Sequence, residues 1–261
     1  MYSSHHHKHH ARRLLCLTAL LCFAAGGTAY ACTRKAAVPQ LPELPAESLE
    51  QPAEYGVQQS TLTAAQAQAI LDDPRMILVS RAHPITEDYP VETKECGSAT
   101  AINKTLQTEA ADAFLSMQAA AAKDGVDVRM QSGYRSVSYQ KKLYDNKTQY
   151  YRDKGLSEAA AREKAAVIVN PPGCSEHNCG LAADLNSPEH TTLDTGFADT
   201  AAFRWLCENA EQYGFILRYP KGKQDVTGII FEPWHFRYVG VEIATYIMEN
   251  NLTLEEYLGV A

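Results

Sequence analysis

The stretch Pro171–Asn186 reads P-P-G-C-S-E-H-N-C-G-L-A-A-D-L-N and sets His177 seven residues before Asp184, with Gly180 between them. An imidazole presented by a Pro/Gly loop and a carboxylate on the following segment are two ligand types that one divalent ion accepts together. A second piece, Glu232-Pro233-Trp234-His235, adds another imidazole. Two His and one carboxylate leave one corner of a tetrahedral site open, as hydrolysis requires. Glu232, three residues before His235, is close enough to meet a water in that corner without being a ligand. A carboxylate so placed takes the water's proton and later passes it to a leaving amine. A third piece, Ser132-Gly133-Tyr134-Arg135-Ser136, offers a planar fork of donors suited to a carboxylate or a developing oxyanion. Each piece alone has an ordinary reading: turn chemistry, a satisfied core histidine, a surface acid, an exposed ion pair. Their joint occurrence points to metal-assisted hydrolysis.

The elements that must position these residues can be read from periodicity. Leu181–Leu185 alternates as a short strand, with Leu181, Ala183 and Leu185 turned to a core and Asp184 turned away. Val126, Val128 and Met130 alternate in a strand that runs into Ser132. Leu106, Ala110, Phe114, Met117 and Ala121 recur at helical spacing, which predicts a helix over 104–123 ended by Asp124-Gly125. Ser136 or Ser138 can cap a helix carrying Gln140, Leu143 and Tyr144, and Ser157 another through about Val167. Asp199–Tyr213 is helical by pattern and closed by Gly214. Met76–Ser80, Phe215–Tyr219, Gly228–Phe231 and His235–Val239 read as strands. Short helices are expected from Thr63 to about Leu71, from Ile243 to Glu249 and over Leu252–Tyr257. With helices first and antiparallel-looking strands later, the expected class is α+β, a small antiparallel sheet bearing the site and packed with helices.

Composition narrows the function classes. The chain has 261 residues, 45% hydrophobic and 21% charged, an ordinary globular balance. Residues 1–31 carry Lys8, Arg12 and Arg13 and no acid, so without them the formal charge moves from -7 to -10. Such a domain is a poor partner for nucleic acid. Residues 1–31 read as an export signal: a basic start, an apolar run from Leu14 to about Ala25, then Ala29-Tyr30-Ala31 as an A-x-A cleavage pattern. The run is too short for a membrane span. Cys32, directly after it, offers an alternative ending as a lipid-modified tether, although Ala29 stands where Leu is usual. The tract His5–His10 is read as a polar start or a cloning remnant rather than a metal tract. Residues 32–60, with Pro39, Pro42, Pro45 and Pro52, read as an extended linker. Residues 61–261 form the expected folded domain, placed at the extracellular face of a membrane or in the wall.

Ser132–Ser136, Ser175-Glu-His-Asn-Cys-Gly-Leu-Ala-Ala-Asp184 and Glu232–His235, in this order, resemble the VanY-type zinc D-alanyl-D-alanine carboxypeptidases, of the group that includes lysostaphin-like peptidases and hedgehog domains. The resemblance runs from about Ile77 to the C-terminus and includes Arg218-Tyr219-Pro220, Lys223, Thr227-Gly228 and Leu252–Tyr257. It implies Zn2+ on His177, Asp184 and His235, Glu232 as general base, and Arg135 at the scissile carbonyl. It implies that Gln140, Ser175 and Tyr219 contact the terminal D-residue. The implied substrates are peptidoglycan stem peptides ending in D-Ala, cut by a monomer. L,D-carboxypeptidase, D,D-dipeptidase and non-catalytic wall-binding readings stand as alternatives.

Many relatives have a small or polar residue at the position of Cys179, whereas here Cys174 and Cys179 bracket His177. Three readings compete: a local disulfide, ranked first; pairing with Cys96 or Cys207; and free thiols. A His/Cys zinc site also comes into consideration.

Overall fold

The computed structural model describes residues 72–260. The readings of an export signal, a Pro-rich linker and a helix from Thr63 to Leu71 lie outside the described residues.

The fold is α+β and is built on a four-stranded antiparallel sheet. Its strands are β3 (Arg129–Ser132), β4 (Ala182–Asn186), β5 (Phe215–Leu217) and β6 (His235–Tyr238), in the order β3-β4-β6-β5. A second, two-stranded sheet pairs β1 (Thr93–Glu95) with β2 (Thr105–Gln107). Because side chains alternate across a strand, each central strand divides its residues between two jobs. Ala183 and Leu185 of β4, Phe236 and Tyr238 of β6 and Phe215 of β5 join the main core. Asp184 and His235 belong to the alternate positions, and the register makes them direct cross-strand partners.

Helix Thr108–Lys123 covers the core face of the sheet with Ala110, Ala111, Phe114, Met117 and Ala121, all fully buried. Burying a side chain such as Phe114 stabilises the fold by about 1.5–3 kcal/mol. The helix begins later than its periodicity suggested. Leu106 is buried as expected, but from strand β2, and Gln107 caps the helix by accepting from Glu109 N and Ala110 N. Ser136, Ser157 and Thr200 cap helices Val137–Asp153, Glu158–Ala166 and Ala201–Asn209, each accepting from the backbone N–H three residues on. Beyond helix Val241–Glu249, a Thr253/Glu256 capping box opens the last helix, Leu254–Leu258. A smaller core of Met76, Ile216, Val239, Ala244, Ile247 and Leu254 seats these two helices.

Two expected strands are absent. Met76–Ser80 instead begins in a 3-10 turn, Pro74–Met76, capped by Asp73. The carbonyls of Arg75 and Ile77 accept from Arg237 Nη2 at 2.8 and 2.9 Å, so a buried guanidinium takes the place of a neighbouring strand. Gly228–Phe231 follows a short helix, Gln224–Thr227, which Gly228 ends. Ile230 is 61% exposed, and the next backbone hydrogen bonds run from Glu232 N to Tyr219 O and from His235 N to Glu232 O. The segment is therefore a loop that delivers Glu232, not a ladder strand.

Candidate metal centre

Three elements converge on the site. The register sets Asp184 opposite His235 on one side and opposite Ser132 on the other. Ser132 is also where the third motif leaves the sheet. Gly133 then passes so close to Thr105 that an added Cβ would sit 2.3 Å from its carbonyl oxygen, so only glycine fits there. His177 comes from a 3-10 turn, Glu176–Cys179, that ends at Gly180 with φ 75°. That turn is bound to the Arg135 segment in both directions. Arg135 N donates to His177 O at 3.0 Å, and Asn178 Nδ2 donates to Arg135 O at 2.7 Å.

His177, Asp184 and His235 are buried, and one ligand atom from each lies within 4.8 Å of the other two. Gly133 O can only accept, so His177 Nδ1, 2.7 Å away, carries the proton. This leaves His177 Nε2 unprotonated, 3.2 Å from Asp184 Oδ2. His235 Nδ1 lies 3.1 Å from Asp184 Oδ1, and its Nε2 faces Glu176 Oε2 at 3.5 Å. The two rings meet edge to face, 5.1 Å between centroids. Two imidazole nitrogens and a carboxylate converge, with Gly133 O behind His177 and the Glu176 carboxylate 3.5 Å from His235 Nε2. Together these features fit a tetrahedral divalent ion of the zinc type. Cys179 is not part of the set: its thiol turns away and donates to Glu176 O.

The electrostatics follow from burial and neighbours. Burial pushes Asp184 up, but His177 and His235 outweigh it and hold the carboxyl well below its ordinary range. Burial, with Arg135 beside it, keeps His177 neutral, the form a ligand needs. Burial lowers His235, yet Asp184 and Glu176 raise it to about 9. Burial lifts Glu232 to about 7, with His235 pulling the other way. Its Oε2 lies 3.9 Å from His235 Nδ1, beside the triad but not in it. Arg135 carries a buried Nε without a hydrogen-bond partner. Desolvation lowers its pKa, while the carboxylates Asp184 and Glu232 act against that.

Of the remaining expected contacts, Tyr219 touches the triad directly. The Tyr219 ring packs on His235 with centroids 4.9 Å apart. Gln140 is buried; its Nε2 donates to Asn170 O at 2.7 Å and its Oε1 has no partner. Ser175 is buried at the start of the His177 turn. Glu176 is a residue that motif reading passed over. It is wholly buried and pairs with Arg218 at 2.7 Å and Arg237 at 3.1 Å. Burial pushes its carboxyl up, but the two guanidinium groups hold it well below the carboxylate range. The expected Cys174–Cys179 disulfide is not formed. Cys96, Cys174, Cys179 and Cys207 are all free, and the two loop thiols donate to different carbonyls, Pro172 O and Glu176 O.

A family model described as VanY, D-alanyl-D-alanine carboxypeptidase, matches residues 103–241. The chain is 39% identical over 202 residues to a D-alanyl-D-alanine carboxypeptidase of Enterococcus faecalis, a match covering 77% of this chain and 72% of that protein. Among solved structures, it is similar to the vancomycin-resistance D,D-pentapeptidase VanY from a VanB-type cassette, crystallised as a mutant in complex with Zn(II). The TM-score is 0.60 at 39% identity, covering 71% of this chain and 99% of that one. It is equally similar to the LD-carboxypeptidase LdcB, with a TM-score of 0.62 at 36% identity over 73% and 89% of the two chains.

Proposed function

The chain belongs to the VanY family of D-alanyl-D-alanine carboxypeptidases, and from that premise we propose that it removes the terminal D-alanine from peptidoglycan stem peptides ending in D-Ala-D-Ala. The observation that carries the reading is the convergence of His177, Asp184 and His235, with Glu232 and Arg135 beside them. When bound by His177 Nε2, Asp184 and His235 Nδ1, zinc supplies Lewis acidity to a carbonyl and makes water more acidic.

The chain's own residues do the rest. Gly133 O and Glu176 fix the two imidazoles from behind, so the ligand nitrogens face inward. Glu232, raised to about 7 by burial, accepts a proton from the attacking water at its carboxylate and returns it to the leaving amine of D-alanine. The Arg135 guanidinium, held in a buried place with spare donor capacity, stabilises the oxyanion that develops at the scissile carbonyl. On the other flank, Tyr219 walls the site, and Gln140 Oε1 and Ser175 supply polar groups for the terminal residue.

The same proposal places the enzyme outside the cytoplasm, with residues 1–31 as its export signal and Cys32 either the new N-terminus or a lipid attachment point. The basic start, the apolar run and Ala29-Tyr30-Ala31 support this. Mass spectrometry of the mature protein's N-terminus decides between the two ends.

The catalytic reading is tested by measuring D-alanine release from a D-Ala-D-Ala pentapeptide, a tetrapeptide and the free dipeptide. Release from the pentapeptide, abolished by a chelator and restored by zinc, is expected. Cleavage of the tetrapeptide alone makes the protein an L,D-carboxypeptidase, and cleavage of the dipeptide alone a D,D-dipeptidase. Binding without turnover in zinc-loaded protein marks a wall-binding module.

A further inference from the structure

Two unlike cavities adjoin Tyr219 and Arg135, residues near the triad. Beside Tyr219 lies a small pocket of about 200 Å3, which includes Asn170, the residue that holds Gln140. Beside Arg135 lies an open groove of about 360 Å3, lined by Ile102, Lys104, Tyr134, Arg135 and Tyr139 among others. A carboxypeptidase needs this asymmetry: a compact place for one released residue and an open path for the peptide it leaves behind.

The groove's wall is fixed to the chemistry by backbone bonds. Gly133 N donates to Asn103 O at 2.9 Å and Tyr134 N to Thr105 O at 2.7 Å, so residues 103–105 run alongside the motif that carries Arg135. Lys104 sits between these two anchors, and its own carbonyl accepts from Cys96 N and Gly97 N at 2.8 Å each. Lys104 is half-buried, and its ammonium makes no ion pair among the described residues. Its neighbours in the fold behave differently: Lys94 pairs with Asp112 and Arg129 with Asp127. A cation with no ion-pair partner among the described residues, on an edge that lines a groove, is set for an anion from outside.

We propose that this groove binds the acyl part of the substrate and that Lys104 is a specificity-determining residue, pairing with a carboxylate within the three residues that precede the terminal D-Ala-D-Ala. Ile102, 64% exposed, and the rings of Tyr134 and Tyr139 supply apolar surface for the same segment. The inference rests on the proposed peptidase reading for the direction of the substrate.

The test uses acetylated tripeptides extended by D-Ala-D-Ala, with Glu or Gln placed in turn at each of the three upstream positions. Binding is measured by calorimetry on zinc-loaded Glu232→Gln protein, with and without Lys104→Gln, and turnover is measured with Glu232 intact. At one position Glu is expected to bind about 5-fold more tightly than Gln. Lys104→Gln is expected to erase that preference, and Lys104→Glu to reverse it. A preference that survives Lys104→Gln, an absence of any preference, or no binding overturns the assignment. Failure of the unsubstituted protein to release D-alanine from any peptide overturns the peptidase reading instead, and the calorimetric preference still judges Lys104.

Discussion

His235 Nε2 lies 3.5 Å from Glu176 Oε2, and the same carboxylate meets the guanidinium groups of Arg218 and Arg237. A buried carboxyl left alone would take up a proton. Two arginines keep this one ionised and so able to hold the imidazole in place. On the proposed reading, Glu176 is therefore a positioning residue for His235. Glu176→Gln is expected to weaken zinc binding by roughly 10- to 100-fold. It also leaves Arg218 and Arg237 short of counter-charge, at a cost of about 3–5 kcal/mol. Chelator competition reads the first effect and urea unfolding of chelated protein the second.

Glu232→Gln separates activity from stability. Loss of the base is expected to lower kcat by roughly 10²–10⁴-fold. The carboxyl's ordinary value is 4.5, and burial lifts it to about 7. Between those values the folded protein holds a proton that the unfolded chain has released, so Glu232 makes stability fall as pH rises. At pH 8 the glutamine variant, freed of metal, is expected to be more stable by on the order of 2 kcal/mol. That gain fades below about pH 4.5. Denaturant midpoints at three pH values check the sign.

Arg135→Lys keeps the charge and loses the fork. If the guanidinium serves the oxyanion, kcat is expected to drop by roughly 10²–10³-fold while zinc affinity hardly changes. Steady-state kinetics beside a zinc titration distinguishes this from a collapsed metal site, in which both would fall together.

The thiols give an independent check on the fold. Burial pushes Cys96 up to about 11, and burial with Glu208 and Glu211 nearby does the same for Cys207. Few thiolates exist at neutral pH, so iodoacetamide is expected to label both slowly in native protein and readily after unfolding. Reductant is expected to leave the melting temperature unchanged, because no bridge joins Cys174 to Cys179. A crosslinked peptide spanning those two residues in a non-reducing digest would contradict this arrangement.

The grouping of His177, Asp184 and His235, with Glu232 beside them, was legible because it is carried by residue type and order. Alternation alone separated Asp184 from Leu181, Ala183 and Leu185. Glu176 was illegible for the opposite reason. It stands beside His177 in plain view, but its role depends on Arg218 and Arg237, about 40 and 60 residues later, and on complete burial. Arg218 had drawn notice only as part of a resemblance. The two misplaced strands fail in the same way. Met76–Ser80 has a strand's composition, but the partner it meets is the Arg237 side chain, and no local pattern announces that. Thr105–Gln107 shows the converse: Leu106 fits the helical stripe, and only pairing with Thr93–Glu95 draws it into a sheet.

Arg218 reaches past Glu176 to Glu255, in the final described helix, at 2.6 Å. Arg218 thus links the helix Leu254–Leu258 to the carboxylate beside His235. Glu255 lies twenty residues beyond His235, so the far side of the Arg218 guanidinium is closed by a segment made after the site residues themselves. Substituting Glu255 would leave His177, Asp184, His235 and Glu176 in the sequence and remove one of the two carboxylates that clasp the Arg218 guanidinium.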